Sequence, residues 1–205
     1  MIIESQTFPC VDYIKKAIQY KYIKIEQFES FQKMSFRNRY IISGANGLSS
    51  LTIPVVGGRE QKKLIKEIEV DYTTDWRTNH WRNIVSSYSK APFFEYYQSD
   101  IQKLLFSNET SLFLLNNKIL IWVLKSLKAK VEVVFSESFV KDVQHDIDLR
   151  GKIAPRNFQV DSGTWRPVYP QVFEDKIGFQ PNLSILDLLF AEGPNALHLI
   201  ERSLQ

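Results

Sequence analysis

Residues 1–26, MIIESQTFPCVDYIKKAIQYKYIKIE, hold the pattern that decides the fold. Ile2 and Ile3 begin a short apolar segment that breaks at Phe8-Pro9. Val11, Ile14, Ala17 and Ile18 then recur at helical spacing, with Asp12 early in the first turn. From Tyr22 to Glu26 the chain alternates, Ile23 and Ile25 on one face and Lys24 and Glu26 on the other. Strand, loop, helix and strand in that order predict a βαβ-like opening with a parallel pair joined right-handedly. Ligands of such sheets gather at the carboxyl ends of the strands. That edge would carry Gln6-Thr7-Phe8-Pro9 and Glu26-Gln27.

The next stretch outward is Gln32-Lys33-Met34-Ser35-Phe36-Arg37-Asn38-Arg39-Tyr40. Lys33, Arg37 and Arg39, interleaved with Phe36 and Tyr40, make a compact anion-binding surface or a solvated basic run. Arginine supplies a planar fork for phosphate or carboxylate, and lysine a movable point charge. Arg39 to Ser43, the turn Gly44-Ala45-Asn46-Gly47 and Leu48 to Val56 read as a β-hairpin, because Asn-Gly tolerates the left-handed backbone of such turns. Pro54 cannot donate to a ladder and marks an edge strand. Gly57-Gly58-Arg59-Glu60 reads as a plain mobile connection.

Further along, Ile68 to Val70 reads as a short strand ending at Asp71. Thr74 or Asp75 caps a helix that places Trp81, Ile84, Val85 and Tyr88 on one face. His80 beside them is a candidate acid or base, or a partly buried histidine bonded to a carbonyl. Pro92 suits a first helical position, and a further helix spans about Ser111 to Lys128. Val131 to Phe135 alternates as a strand. The stretch from Asp148 to about Pro170 is long and irregular, and its Phe158, Trp165 and Tyr169 predict an ordered flap. A helix near Ser184 to Phe190 follows, capped by Asn182 or Ser184. Asp187 lies in the apolar run Ile185-Leu186-Asp187-Leu188-Leu189-Phe190, where a buried carboxylate needs a partner. Arg37, Arg39 or Arg150 would supply it. Gly193-Pro194-Asn195 breaks this helix and starts a terminal one.

Composition limits the function classes. The 205 residues predict one α/β domain, 1–205: a small, partly parallel sheet with the βαβ-like start and a hairpin extension, covered by helices. Lys+Arg 26 against Asp+Glu 23 leaves only +3, too little to argue for nucleic acid. Cys10 alone allows no internal disulfide and no multi-cysteine zinc site. No signal peptide is evident at Met1-Ile2-Ile3-Glu4. The apolar run from Leu112 to Leu127 is interrupted by Asn116, Asn117, Lys118 and Lys125, so no membrane insertion is expected and a cytoplasmic location is the default. Nucleophile-elbow, zinc-protease, dinucleotide and Walker signatures are missing. His80, His145 and His198 form no metal-ligand spacing. His145-Asp146-Ile147-Asp148 is explained equally well as loop electrostatics, so no metal ligand is named. The sequence assigns no cofactor. Cys10, at a helix start, reads as a small apolar residue rather than a nucleophile.

Several blocks together resemble one known family. They are Gln32-Lys33-x-Ser35-Phe36-Arg37-Asn38-Arg39, Ala45-Asn46-Gly47, Leu51-x-Ile53-Pro54-Val55, Asp71-Tyr72, Trp76, His80-Trp81-Arg82, Tyr88 and Pro92-Phe93-Phe94-x-Tyr96. Gly178-Phe179-x-Pro181-Asn182-Leu183-Ser184-Ile185-Leu186-Asp187-Leu188-Leu189-Phe190 and Glu192-Gly193-Pro194 complete them. Spanning nearly the whole chain in order, they resemble the WbqC-like proteins of bacterial surface-polysaccharide clusters. The resemblance implies a role in O-antigen assembly that includes transfer of an amino acid such as glycine onto a sugar.

From the residues themselves, Glu26 or His80 would serve as the base for acyl or sugar transfer. Gln32, Lys33, Arg37, Asn38 and Arg39, with Asp148, Arg150, Asn182 and Asp187, would bind substrate, the cations clamping a sugar nucleotide or activated acyl donor. All these groups, and Asp71, are expected to converge on one pocket at the sheet's carboxyl edge. The alternatives are a non-catalytic binder of a sugar nucleotide or polysaccharide-pathway protein, and a structural ion-pair network around Asp187.

Overall fold

The computed structural model describes residues 1–58, 62–141, 143, 147–159 and 166–204. The opening folds as its pattern predicts. Strand β1 (Ile2–Glu4) leads through helix α1 (Val11–Tyr20) into β2 (Tyr22–Glu26), parallel to it with Ile3 opposite Ile25. The turn from helix to strand is made by Lys21, held left-handed at φ 56, whose N–H caps the carbonyl of Ala17. Val11, Ile14, Ala17 and Ile18 are buried, the stripe expected from the spacing.

The hairpin follows as β3 (Arg39–Gly44) and β4 (Gly47–Thr52), with Tyr40 opposite Leu51. Gly47, at φ 112, takes the conformation that its turn requires. The second strand stops at Thr52 rather than running to Val56. Pro54 has no N–H to continue the ladder, and Val55 bridges to Val70 instead. No strand forms at Ile68 to Val70: a 3-10 turn over Ile65–Glu67 passes into isolated bridges, Val55 with Val70 and Glu69 with Ser111.

Helices α2 (Trp76–Tyr88), α3 (Phe94–Leu105) and α4 (Leu112–Ser126) come next, then β5 (Glu132–Phe135), which lies parallel to β2. Asp75 and Ser111 cap α2 and α4 by accepting the backbone N–H of Thr78 and Leu114. The sheet order is β1-β2-β5. On the outer side of β1, residues 147–149 add a further parallel piece. Ile2 N–H donates to Ile147 O (2.9 Å), and Leu149 N–H donates to Ile2 O (2.9 Å). The C-terminal part packs as α5 (Glu174–Ile177), α6 (Ile185–Glu192) and α7 (Ala196–Arg202). Ile185 to Phe190 is buried throughout, so α6 is the central helix of the core. No helix among the described residues is long and apolar enough to cross a membrane.

Candidate functional site

The carboxyl edge of the parallel sheet collects charge that the core cannot hold elsewhere. Glu26 ends β2 and is fully buried. Its Oε1 accepts from Ser136 Oγ (2.7 Å) and Phe28 N (2.9 Å), and its Oε2 from Val140 N (3.1 Å) and Arg150 Nη1 (3.2 Å). Arg150 is also forked onto Asp148, at 3.0 and 2.7 Å, which holds the Asp148 carboxyl below its ordinary range. Glu4, at the end of β1, accepts from Gln6 Nε2 (2.9 Å) and Gly151 N (2.8 Å).

Three residues past β2, Glu29 receives Arg37 in two parallel bonds, Nε at 2.7 Å and Nη2 at 2.6 Å. Arg37 is 1% exposed, so this member of the basic run is not solvated, whereas Lys33 is exposed and Arg39 half-buried. Thr7 N–H donates to Phe36 O, and Asn116 Nδ2 donates to Arg37 O, tying residues 36 and 37 against the loop after β1. Burial pushes the Glu29 carboxyl up despite Arg37, and the charges of Glu4 and Glu26 push it further.

Three neighbouring clefts open over this network. One of about 420 Å³ is lined by Glu29, Gln32, Phe139 and Arg150. The second, about 450 Å³, shares Gln32 and adds Lys33, Arg37, Arg39 and Arg156. The third, about 750 Å³, shares Lys33 and Arg39 and reaches Asn38 and Asp71. Together they form a trough with a carboxylate towards each end, Glu29 and Asp71, and cations along its middle. Asn38 is fixed as a wall, its Nδ2 donating to Ile53 O (2.8 Å).

The expected convergence is therefore only partial. Glu26, Asp148 and Arg150 meet at the edge, and Gln32, Lys33, Arg37, Asn38 and Arg39 line the trough beside it. His80 lies instead between α2 and the hairpin, where its Nδ1 meets Tyr40 OH (3.1 Å) and its Nε2 meets Thr52 O (3.2 Å). A carbonyl only accepts, so Nε2 carries the proton and Tyr40 donates to Nδ1. Burial lowers the His80 pKa to about 4. Asn182 belongs to the start of α1, accepting from Asp12 N (2.7 Å) and donating to Phe158 O (2.7 Å).

Among the described residues, Asp187 has no arginine partner. Four neutral donors satisfy it: Ser43 Oγ (3.1 Å) and Tyr88 OH (2.9 Å) on one oxygen, Tyr169 OH (2.9 Å) and Gln171 Nε2 (2.9 Å) on the other. Hydroxyls and an amide meet the requirement for hydrogen bonds without bringing a second charge into the core. Cys10 is buried, and burial together with Asp12 pushes its thiol up to about 12, which disfavours the thiolate. Among the described residues, no group of three or more histidine, cysteine or carboxylate side chains could hold a metal ion. His145-Asp146, Arg59-Glu60 and the Trp165 part of the flap lie outside the described residues.

Sequence reasoning passed over Glu29, Glu4 and Arg156. Glu4 and Glu29 carried one usable signal, a carboxylate at or just past the carboxyl end of a strand.

Apart from Arg156, the named edge and trough residues fall within the part of the chain that a family model covers. The chain belongs to the WbqC-like protein family, whose model matches residues 4–154. Asn182 and Asp187 lie beyond the matched part. The chain is also similar to the uncharacterized protein Rv1507c of Mycobacterium tuberculosis (strain ATCC 25618 / H37Rv), at 28% identity over 190 residues covering 81% of each chain. No solved structure matches it significantly.

Proposed function

We propose that this chain acts in the cytoplasm in surface-polysaccharide assembly, as a transferase-like protein that binds a phosphorylated or activated donor in the trough and passes an amino-acid or acyl group to a sugar. One observation carries the reading: a closed carboxylate–arginine network at the carboxyl edge of a parallel sheet, roofed by an open cationic trough. Arg37 and Arg150 are committed to Glu29, Glu26 and Asp148, so they frame the site. Lys33, Arg39 and Arg156 are the cations left to face a phosphate. Glu26 has four donors and no opening, whereas Glu29 reaches the cleft and has a raised pKa, so the base would be Glu29.

The test is a thermal-shift screen with sugar nucleotides, ATP, acyl-CoA thioesters and free amino acids, repeated on Lys33→Ala/Arg39→Ala. A ligand at a hundredfold over its Kd stabilises by about 2.7 kcal/mol, a shift of a few degrees. A shift in the wild type that vanishes in the double variant supports the reading; no shift from any class overturns it. The bidentate hold of Arg37 on Glu29 favours a second reading, a non-catalytic binder of a sugar nucleotide or a pathway protein. Glu29→Gln separates the two, since it should abolish turnover in an enzyme while a binder keeps its ligand.

A further inference from the structure

The largest cleft of the trough, about 750 Å³, has a charge pattern that a bare phosphate does not explain. Phe31, Ile53 and Val55 are buried and give it an apolar lining. Lys33 and Arg39 line it and the neighbouring cleft alike. Arg39 gives its Nε to Thr52 Oγ1 (3.2 Å), and among the described residues nothing accepts from its Nη atoms.

The other polar groups of this cleft are acceptors. Asp71 is anchored by its backbone, its N–H donating to Pro54 O (2.9 Å), and its Oδ1 accepts from Thr73 N–H (2.8 Å). The hydrogen bonds from Thr73 hold the carboxyl below its ordinary range, so it is charged near neutral pH. Among the described residues no cation pairs with it, Lys33 and Arg39 included. Asn38 is bound through Nδ2 to the preceding carbonyl, that of Ile53 (2.8 Å). Its side chain is thereby fixed and the residue is only 9% exposed, yet no described residue donates to its Oδ1. A carboxylate in a cleft that holds an anion works against a plain anion, because like charges repel. The layout instead fits a ligand of two signs, with hydrogen-bond donors towards the acceptor side.

We propose that this cleft takes a phosphorylated ligand that carries a protonated primary amine, its phosphate on Lys33 and Arg39 and its ammonium on Asp71. Asn38 Oδ1 accepts an O–H or N–H from the body between them. Two sources share this chemistry: an aminoacyl group on a phosphate, and the phosphate of an amino sugar. An acyl phosphate or a plain sugar phosphate has no ammonium and leaves Asp71 facing negative charge. The inference rests on the reading of the trough as a phosphate site, since Lys33 and Arg39 hold the anion in both.

Isothermal titration of the full chain at about pH 6.5, where such amines are protonated, compares two pairs of probes. One pair is glucosamine 1-phosphate with glucose 1-phosphate. The other is alanyl-sulfamoyl adenosine with propionyl-sulfamoyl adenosine, in which the sulfamate stands in for the phosphate. In at least one pair the amine member should bind fivefold tighter or more, and that pair names the source. Asp71→Asn keeps an acceptor for Thr73 but removes the charge, and should bring the two members within twofold. If Asp71→Asn folds poorly, Asp71→Ser serves instead, with its hydroxyl as the acceptor. Lys33→Ala/Arg39→Ala should weaken both members alike. Equal binding within both wild-type pairs, or a preference that persists in the folded Asp71 variant, overturns the proposal and leaves the phosphate reading standing. Binding of none of the four probes, or undiminished binding in Lys33→Ala/Arg39→Ala, overturns both.

Discussion

At the scale of single residues, buried ionisable groups give the sharpest expectations. His80 is neutral in the folded protein, with its pKa lowered from 6.5 to about 4 by burial. Between those values the unfolded chain binds the proton and the folded one does not, so stability falls as pH drops from about 6.5 toward 4. The shift corresponds to about 3 kcal/mol. Denaturant unfolding at pH 7 and pH 4.5 should show this loss in the wild type. It should disappear in His80→Gln, whose amide can still accept from Tyr40 and donate to Thr52.

Asp187 runs the opposite way. Burial raises its pKa above 3.8, so the folded state keeps the proton longer, and the stability tied to it is full below 3.8 and declines as pH rises. Asp187→Asn does not titrate. Its Nδ2 can face the Ser43 and Tyr88 hydroxyls, which can accept, while its Oδ1 keeps Tyr169 and Gln171. It should therefore stay within about 1.5 kcal/mol of wild type and gain on it from pH 4 to pH 8. Asp187→Ala strands four donors and should cost about 3–5 kcal/mol. Chemical denaturation across that pH range measures all three proteins.

The contrast between Arg37 and Lys33 belongs to the same scale. Arg37→Ala abandons a buried carboxylate and should lower stability by about 3–5 kcal/mol. Lys33→Ala, on the surface of the trough, should stay within about 0.5 kcal/mol and alter only ligand binding. Side-by-side melting curves decide this. A loss of ligand in Arg37→Ala would therefore say little about contact.

At the scale of elements, much of the fold was legible. The βαβ opening, the Asn46-Gly47 hairpin, the Asp75 and Ser184 caps and the helical break at Gly193 all rest on local rules, and local rules were enough to place them. The piece at residues 147–149 was not legible, because its pairing with Ile2 is set by tertiary proximity and no alternation marks it. The satisfaction of Asp187 was equally hidden: Ser43, Tyr88 and the Tyr169–Gln171 segment come from three separate parts of the chain. The site divided in the same way. The edge position of Glu26 followed from the strand order, but the pairing of Arg37 with Glu29 is a contact between loops with no spacing rule.

Gly193 offers a test at this scale. It ends α6 at φ 52, and a Cβ there would run into the ring of Phe93. Phe93 is itself held, its N–H donating to Phe190 O (2.9 Å). Gly193→Ala should cost more than about 2 kcal/mol, since left-handed strain and overpacking add. Pairing it with Phe93→Leu should recover part of the loss, and a double-mutant cycle in denaturant gives the coupling.

At the scale of the whole molecule, the order of the sheet bears on how the protein is made. β1 and β2 are synthesised together, yet their flanking pieces, β5 and residues 147–149, come more than a hundred residues later. At about 5–20 residues per second, the two-stranded start waits roughly 5–25 seconds with both edges bare. Two strands alone are marginal in water, and Glu26 lacks Ser136 and Arg150 during that interval. Nascent chains halted near residue 130 should therefore be held by chaperones and cut readily by protease, whereas chains that have extruded residue 150 should resist. The carboxylates that shape the finished site would, on this view, also keep the unfinished sheet hydrated until its partners arrive.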